Sequence, residues 1–439
     1  MQRFRLIPLF LLALLLLIPA CSMVPSASAV PATTMAPVKA QDAKSDLPRD
    51  LSPQVSDSDL AELVSGNSDF AFALYKRISS GNENLFYSPY SISIALAMTY
   101  AGARGNTADE MAQALHFTLP SVSLHPAFNK LALELASRSK AEGLEPDQAF
   151  QLSVANSLWG QIDYHFEQDF LDLLARNYAA GMRLLDFSKD PEGSRLVIND
   201  WVSRETQEKV KDIIPPGEIK SLTRLVLANA VYFKAAWQNP FAEDATRPGS
   251  FHLLDGTTVD VPMMHEQAGL RSMQGNGYRA VELPYAGRQL SMLILLPDEG
   301  KFGEVEAGLD ANMLEAAAAA LQPDEVDLTL PKFKFEWTAK DLPEAFKALG
   351  MTDAFLNGAD FSGMTGQPEL HIGAILHKAF VGVDESGTEA AAATVVIMDK
   401  EAAAFSPVDF QVDRPFFFLI RDNPTGTILF LGRVTNPAV

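Results

Sequence analysis

An α+β fold is what the 439 residues predict, and three observations predict it. Strand-like and helix-like runs follow one another irregularly, often strand upon strand, which is the pattern of an α+β protein and not of a doubly wound one. Hydrophobic residues make up 47% of the chain and charged residues 21%, enough apolar side chain for a large core beneath a soluble surface. Nothing between Leu60 and Val439 reads as a linker that would divide them into the roughly three domains that length alone suggests.

At the N-terminus, Arg3 and Arg5 precede an apolar run, residues 6–17, too short for a comfortable membrane span and read as an export signal. Ile18-Pro-Ala-Cys21 closes it and resembles the bacterial lipoprotein cleavage box, with Pro19 where a small residue is usual. A lone cysteine is ordinarily a buried thiol, but at the edge of a signal it is placed for acylation. Residues 1–20 are therefore expected to be a lipoprotein signal peptide and Cys21 a lipid anchor on an exported protein. Cleavage at Ala27-Ser-Ala29 instead gives a secreted, cysteine-free extracellular product. Residues 21–59, rich in Ser, Ala, Pro and Thr without an apolar period, read as a flexible tether to a folded domain at 60–439.

Apolar residues at helical spacing predict helices over 59–78 and 89–100, the second nearly all apolar and hence buried. Thr107-Ala-Asp-Glu110 reads as a capping box opening a third helix that runs through Leu115. Further helices are expected near 126–137, 166–178, 194–210, 312–321 and 339–349. Strands are expected over 151–159, 225–233, 278–283, 291–296, 327–330, 416–420 and 427–434.

Several strings fail as catalytic or binding motifs. Gly275-Asn-Gly-Tyr-Arg-Ala280 fits a dinucleotide loop, but a strand follows where a helix is needed; His265-Glu266 lacks the second histidine of a zinc helix. One cysteine forbids a multi-thiolate metal site, and no Gly-x-Ser-x-Gly elbow occurs. The chain is not expected to be an enzyme or to carry a cofactor. Its formal charge of −20, with no offsetting basic cluster, argues against nucleic acid or a heparin-type polyanion as partner.

The stretch Asp384-Glu-Ser-Gly-Thr-Glu-Ala-Ala-Ala-Ala-Thr-Val-Val-Ile-Met398 has a composition that suits two conformations. As a strand it points nothing large to either face, and without proline it can pair on both sides. As an alanine-rich loop or short helix it is equally comfortable, alanine being a poor permanent strand former.

From about Leu60 to the C-terminus the sequence resembles the serpins, the serine protease inhibitor family. The resemblance rests on Asn84-Leu-Phe-Tyr-Ser-Pro-Tyr-Ser91, Ile198-Asn-Asp-Trp-Val202 with Thr206-Gln207, and Leu227-Ala-Asn-Ala-Val-Tyr-Phe-Lys-Ala-Ala-Trp237 with Pro240-Phe241. Leu330-Pro-Lys332, Leu376-His-Lys378, Arg414-Pro-Phe-Phe417, Leu431-Gly-Arg-Val434 and Asn436-Pro437 follow in family order. The resemblance implies three β-sheets with about nine helices and an exposed reactive-centre loop at about 385–410. It makes Glu385, Gly387, Thr388, Glu389, Ala390, Ala391, Ala392 and Ala393 the hinge of that loop. Ser88, Ser91, Asn229 and His377 become a polar shutter beneath the central sheet, and Trp237 marks the breach where the loop enters. Leu330-Pro-Lys332 opens the next sheet strand, with Lys332 placed to pair with Glu385.

The implied function is inhibition of serine-type endopeptidases as a suicide substrate. A protease cleaves the loop, forms an acyl-enzyme and is carried across the molecule as the hinge inserts, a known instance of strand addition and released strain. Counting forward from Glu385 puts the scissile bond at Glu401-Ala402; counting back from Arg414 puts it near Ala404-Phe405. Lys400 suits a trypsin-like protease, Glu401 a glutamate-specific one, and Ala402, Ala403 and Ala404 an elastase- or subtilisin-like one. A papain-like cysteine protease is a further partner class, and the inhibitor is expected to be a monomer. The alternatives are a non-inhibitory serpin and a surface lipoprotein that binds through its acidic body.

Overall fold

A computed structural model describes residues 40–139, 150–388 and 406–438. The order begins with β1 (Gln41–Ala43), α1 (Asp57–Ile78), β2 (Leu85–Tyr87) and α2 (Pro89–Tyr100). Ser56 caps α1, its hydroxyl accepting from the Asp59 N–H at 3.1 Å, and Ser88 caps α2 ahead of Pro89 in the first turn, where proline's missing N–H costs nothing. Next come α3 (Gly105–Ala114), α4 (Ser121–Arg138), β3 (Gln151–Gln161), α5 (Gln168–Tyr178), β4 (Met182–Leu185), α6 (Pro191–Glu205) and β5 (Leu225–Ala236). A run of strands follows: β6 (Arg247–His252), β7 (Thr258–Gln274), β8 (Tyr278–Pro284) and β9 (Leu290–Pro297). The rest is α7 (Phe302–Gly308), α8 (Ala311–Ala320), β10 (Gln322–Pro331), β11 (Phe333–Thr338), α9 (Leu342–Ala348), α10 (Ser362–Thr365), β12 (Ala374–Asp384), β13 (Gly387–Thr388), β14 (Val408–Gln411), β15 (Phe416–Asp422) and β16 (Ile428–Val434).

The central sheet has seven strands in the order β1-β4-β3-β5-β13-β12-β11. The other nine pair continuously as β14-β10-β7-β8-β9-β15-β16-β2, with β6 on β7; the 17-residue β7 joins what the expected three-sheet architecture counts as two smaller sheets. β5 shows how the central sheet is held. It is proline-free and buried almost throughout, fit for a position with neighbours on both edges. Its alternation feeds two cores: Leu225, Leu227, Val231 and Phe233 join the main one, while Val226, Ala228 and Ala230 pack with Trp159, Ile198, Trp201 and Ile214.

Four expectations are corrected. Thr107 and Glu110 do not form a capping box, since α3 already begins at Gly105 and Arg104 gives it no side-chain cap. Instead the Thr107 hydroxyl donates to Asp353, and Glu110 accepts from the Thr352 and Asp353 N–H groups, both at 2.7 Å. The helix expected over 194–210 runs from Pro191 and stops at Glu205, because Gln207 and Glu208 adopt φ of 52° and 61°, outside helical geometry. The helix expected from Ala339 starts at Leu342, which puts Pro343 in its first turn, where proline is tolerated.

The tether expected over 21–59 is cut short within the described residues. β1 pairs antiparallel with β4 at the edge of the central sheet, and beyond it the Asp50 N–H donates to the Arg176 carbonyl (2.9 Å). Asn129, fully buried on α4, donates to the Asp50 carbonyl (2.7 Å) and accepts from Arg49 Nε (2.7 Å). This segment is held largely by backbone and side-chain hydrogen bonds, which leave no apolar period to read.

Candidate functional site

β5 and β12 run parallel and pair from Ala374↔Val226 to Ala379↔Val231. Above that point they part, and β13 lies between them: Gly387 and Thr388 pair with Ala236 and Ala235 of β5 and with Asp384 and Val383 of β12. Gly387 is required here. Its φ is +154°, and a Cβ would meet the Ala235 carbonyl oxygen at 2.2 Å. Thr388 is 1% exposed, its hydroxyl 2.7 Å from that of Tyr285. The described part of the hinge thus already occupies the head of the seam between two central strands.

Trp237 closes that head. Its ring stacks on Tyr285 with centroids 4.7 Å apart, its Nε1–H donates to the Asp384 carbonyl (3.0 Å), and its backbone N–H donates to Ser386 O (2.9 Å). Lys332 Nζ donates to Glu385 at 2.6 Å, and the other Glu385 oxygen accepts from the Thr246 hydroxyl at 2.7 Å. Burial pushes the Glu385 carboxyl upward, but the bonds from Lys332 and Thr246 outweigh it and hold the group below the usual carboxylate range. Asp384 goes the other way, raised by burial against the N–H groups of Ser386 and Gly387.

Lower in the seam the four polar residues expected to act together are in contact. His377 and Asn229 face each other in register across β12 and β5, and His377 Nδ1 bonds Asn229 Oδ1. His377 Nε2 accepts from the Ser88 N–H at 3.2 Å, which places the ring proton on Nδ1. Burial lowers the His377 pKa to about 3, so the ring is neutral at ordinary pH. Asn229 Nδ2 donates to Ser91 Oγ (2.6 Å) and to Asn156, and the Ser88 hydroxyl caps α2 (3.1 Å to the Ser91 N–H) while donating to Leu429 O (2.6 Å). Every buried group in this cluster has a partner, as burial demands.

Asn156, Tyr285 and Thr246 were missed by sequence reasoning. Asn156 lies opposite Asn229 on β3 and could have been suspected as a lone amide in a predicted strand. Tyr285 and Thr246 carry no local signal, since only the fold brings them to Thr388 and Glu385. Glu389, Ala390, Ala391, Ala392, Ala393, Lys400, Glu401, Ala402, Ala403, Ala404, Phe405 and Cys21 lie outside the described residues.

A central sheet that parts between two parallel strands to admit the start of an outgoing loop is the architecture of a serpin. Residues 65–437 match the family model described as serpin, serine protease inhibitor, and the chain belongs to the serpin family. It is 40% identical over 398 residues to an uncharacterised serpin-like protein of Thermococcus kodakarensis, covering 90% of this chain and 91% of that one. It is 38% identical over 397 residues to a leukocyte elastase inhibitor of Bos taurus, covering 86% and 100%. Among solved structures, human thyroxine-binding globulin complexed with its hormone superposes with a TM-score of 0.76 at 32% identity, covering 86% of this chain and 99% of that one.

Proposed function

We propose that this serpin inhibits serine-type endopeptidases as a suicide substrate. One observation carries the reading: Gly387 and Thr388 are already seated as a strand at the head of the β5–β12 seam, so a severed loop has its point of entry made. In the proposed reaction the protease nucleophile attacks the carbonyl carbon of Glu401 and its proton passes to the leaving amine of Ala402. The bond between them breaks, leaving an ester or thioester on the enzyme. Insertion of roughly 14 residues at about 3.3 Å each moves that acyl-enzyme roughly 45 Å. Displacing its catalytic groups by about 1 Å slows deacylation on the order of a hundredfold.

The test is a panel of trypsin-like, glutamate-specific, elastase-like, subtilisin-like and papain-like proteases, with SDS gels and mass analysis of the released C-terminal peptide. A covalent complex with a peptide starting at Ala402 is the expected result. A start at Glu401 or Phe405 moves the bond to Lys400 or Ala404, and no complex with any protease contradicts inhibition. A carrier role is the rival reading, favoured by the similarity to the hormone-bound globulin.

We also propose that the inhibitor is exported and anchored by a lipid on Cys21. Replacing that residue, Cys21→Ser, should abolish labelling with a radioactive fatty acid and release the protein from membranes. Unchanged labelling excludes Cys21 as the anchor.

A further inference from the structure

The chain joins the body at the end of the central sheet opposite the loop. Gln41 of β1 stands beside Leu184 of β4, Leu184 beside Gly160 of β3, and Gly160 beside Leu225, the first residue of β5. Gly387 and Thr388 pair at the other end of that strand, with Ala236 and Ala235. β5 has 12 residues, so at about 3.3 Å each the two rungs lie roughly 35 Å apart.

β1 runs in the same direction as β5, being antiparallel to β4, which is parallel to β3 and so antiparallel to β5. Residues before Gln41 therefore depart from the foot of the sheet, and β1 climbs from there. The departure point is held. Gly181 lets the strand lie close, since a Cβ there would meet the Lys44 Cβ at 2.7 Å and the Ala43 carbonyl oxygen at 2.8 Å, and Asn129 and Arg176 grip Asp50 beyond it.

We propose that the anchored inhibitor stands with the foot of its sheet toward the membrane and its loop away from it, as bait for proteases of the surrounding medium. The orientation rests on Cys21 carrying the lipid, and the choice of partner rests also on inhibition. Residues 22–40 separate that cysteine from β1. A flexible chain of about 20 residues has an r.m.s. span of roughly 25 Å, less than the length of β5. The pole from which the chain departs is then held nearer the bilayer than the loop. A protease embedded in the same bilayer cannot meet the bait, whereas a soluble one has free access. Capture carries the soluble enzyme along the sheet, from the medium to the membrane side.

The test is energy transfer to a rhodamine-headgroup lipid in phosphatidylcholine vesicles holding the lipidated full-length protein. The lipid occupies the thiol of the one native cysteine, so a dye can be placed at the foot by Leu222→Cys, where the side chain is 75% exposed. Glu243→Cys places it at the head, an exposed position near Phe241, whose N–H donates to the Glu385 carbonyl. Transfer from position 222 should exceed that from 243 at least about twofold, given the ~35 Å between the poles. Lengthening the tether by about 60 Gly and Ser residues between Pro37 and Val38, to a span of roughly 50 Å, should shrink the difference. A soluble protease that forms the covalent complex should do so equally fast on vesicles. The same enzyme held to the bilayer by a short lipid linker should form none, because its linker cannot span the gap. Equal transfer from both positions, or a difference untouched by the longer tether, overturns the proposal, as does complex formation by the bilayer-held enzyme. Failure to float with the vesicles removes the Cys21 anchor and the proposal with it. Absence of complex in solution removes inhibition and the choice of partner, while the dyes still decide the orientation.

Discussion

Thr388→Arg should turn the inhibitor into a substrate: the loop is still cut, but the SDS-stable complex falls to a small fraction of wild type. Thr388 is 1% exposed between β5 and β12 with its hydroxyl on Tyr285, in a site with no acidic partner at that contact. Seating a guanidinium there costs several kcal/mol in desolvation. Each ~1.4 kcal/mol slows insertion tenfold, so about 3 kcal/mol shifts the partition between insertion and deacylation toward deacylation by on the order of a hundredfold. The same charge must also expel β13 from the intact protein, because Thr388 is in place before any cut. Thr388→Val, which keeps the shape and loses only the bond to Tyr285, should still form complex. Gel quantification of complex against cleaved inhibitor at fixed protease measures both variants. Wild-type complex yield from Thr388→Arg contradicts the role given to this position.

That role could be read in part from sequence. Small residues after Gly387 announced a segment able to pair on two sides, and the serpin motifs placed it beside Asn229, His377 and Trp237. α2 was legible end to end, because a nearly all-apolar run of 12 residues from Pro89 to Tyr100 is too long for a buried strand. β7 was not: its exposed positions are interrupted by Met263, Met264 and Glu266, and its pairing with both β10 and β8 is a tertiary fact. β1 was hidden for the opposite reason, being an edge strand of three residues secured by backbone bonds. The partners Asn156 and Tyr285 required strand register, which no local pattern encodes. Thr107 and Glu110 fit a capping pattern yet serve a distant loop at Thr352 and Asp353. A local motif yields when backbone N–H groups elsewhere in the fold take the same side chain.

Cleavage of the loop should raise the melting temperature of the inhibitor by tens of degrees. Among the described residues β5 and β12 pair with each other from Ala374 to Ala379, and β13 lies at the head of the seam above that stretch. Extending β13 down the seam between them replaces that short pairing by ladders on both edges. With roughly 14 inserted residues the net gain is on the order of a dozen hydrogen bonds at about 1 kcal/mol each, comparable to the ~5–15 kcal/mol that holds an ordinary fold. At about 2–4 °C per kcal/mol for domains somewhat smaller than this one, a shift of that order follows. His377 and Asn229 stand where the inserted strand must pass, so their bond is exchanged for the longer ladder. The direct measurement is calorimetry of the protein before and after a single cut between Lys400 and Phe405. A melting transition tens of degrees higher in the cleaved form is the predicted result, and an unchanged transition contradicts a fold held short of its lowest free energy.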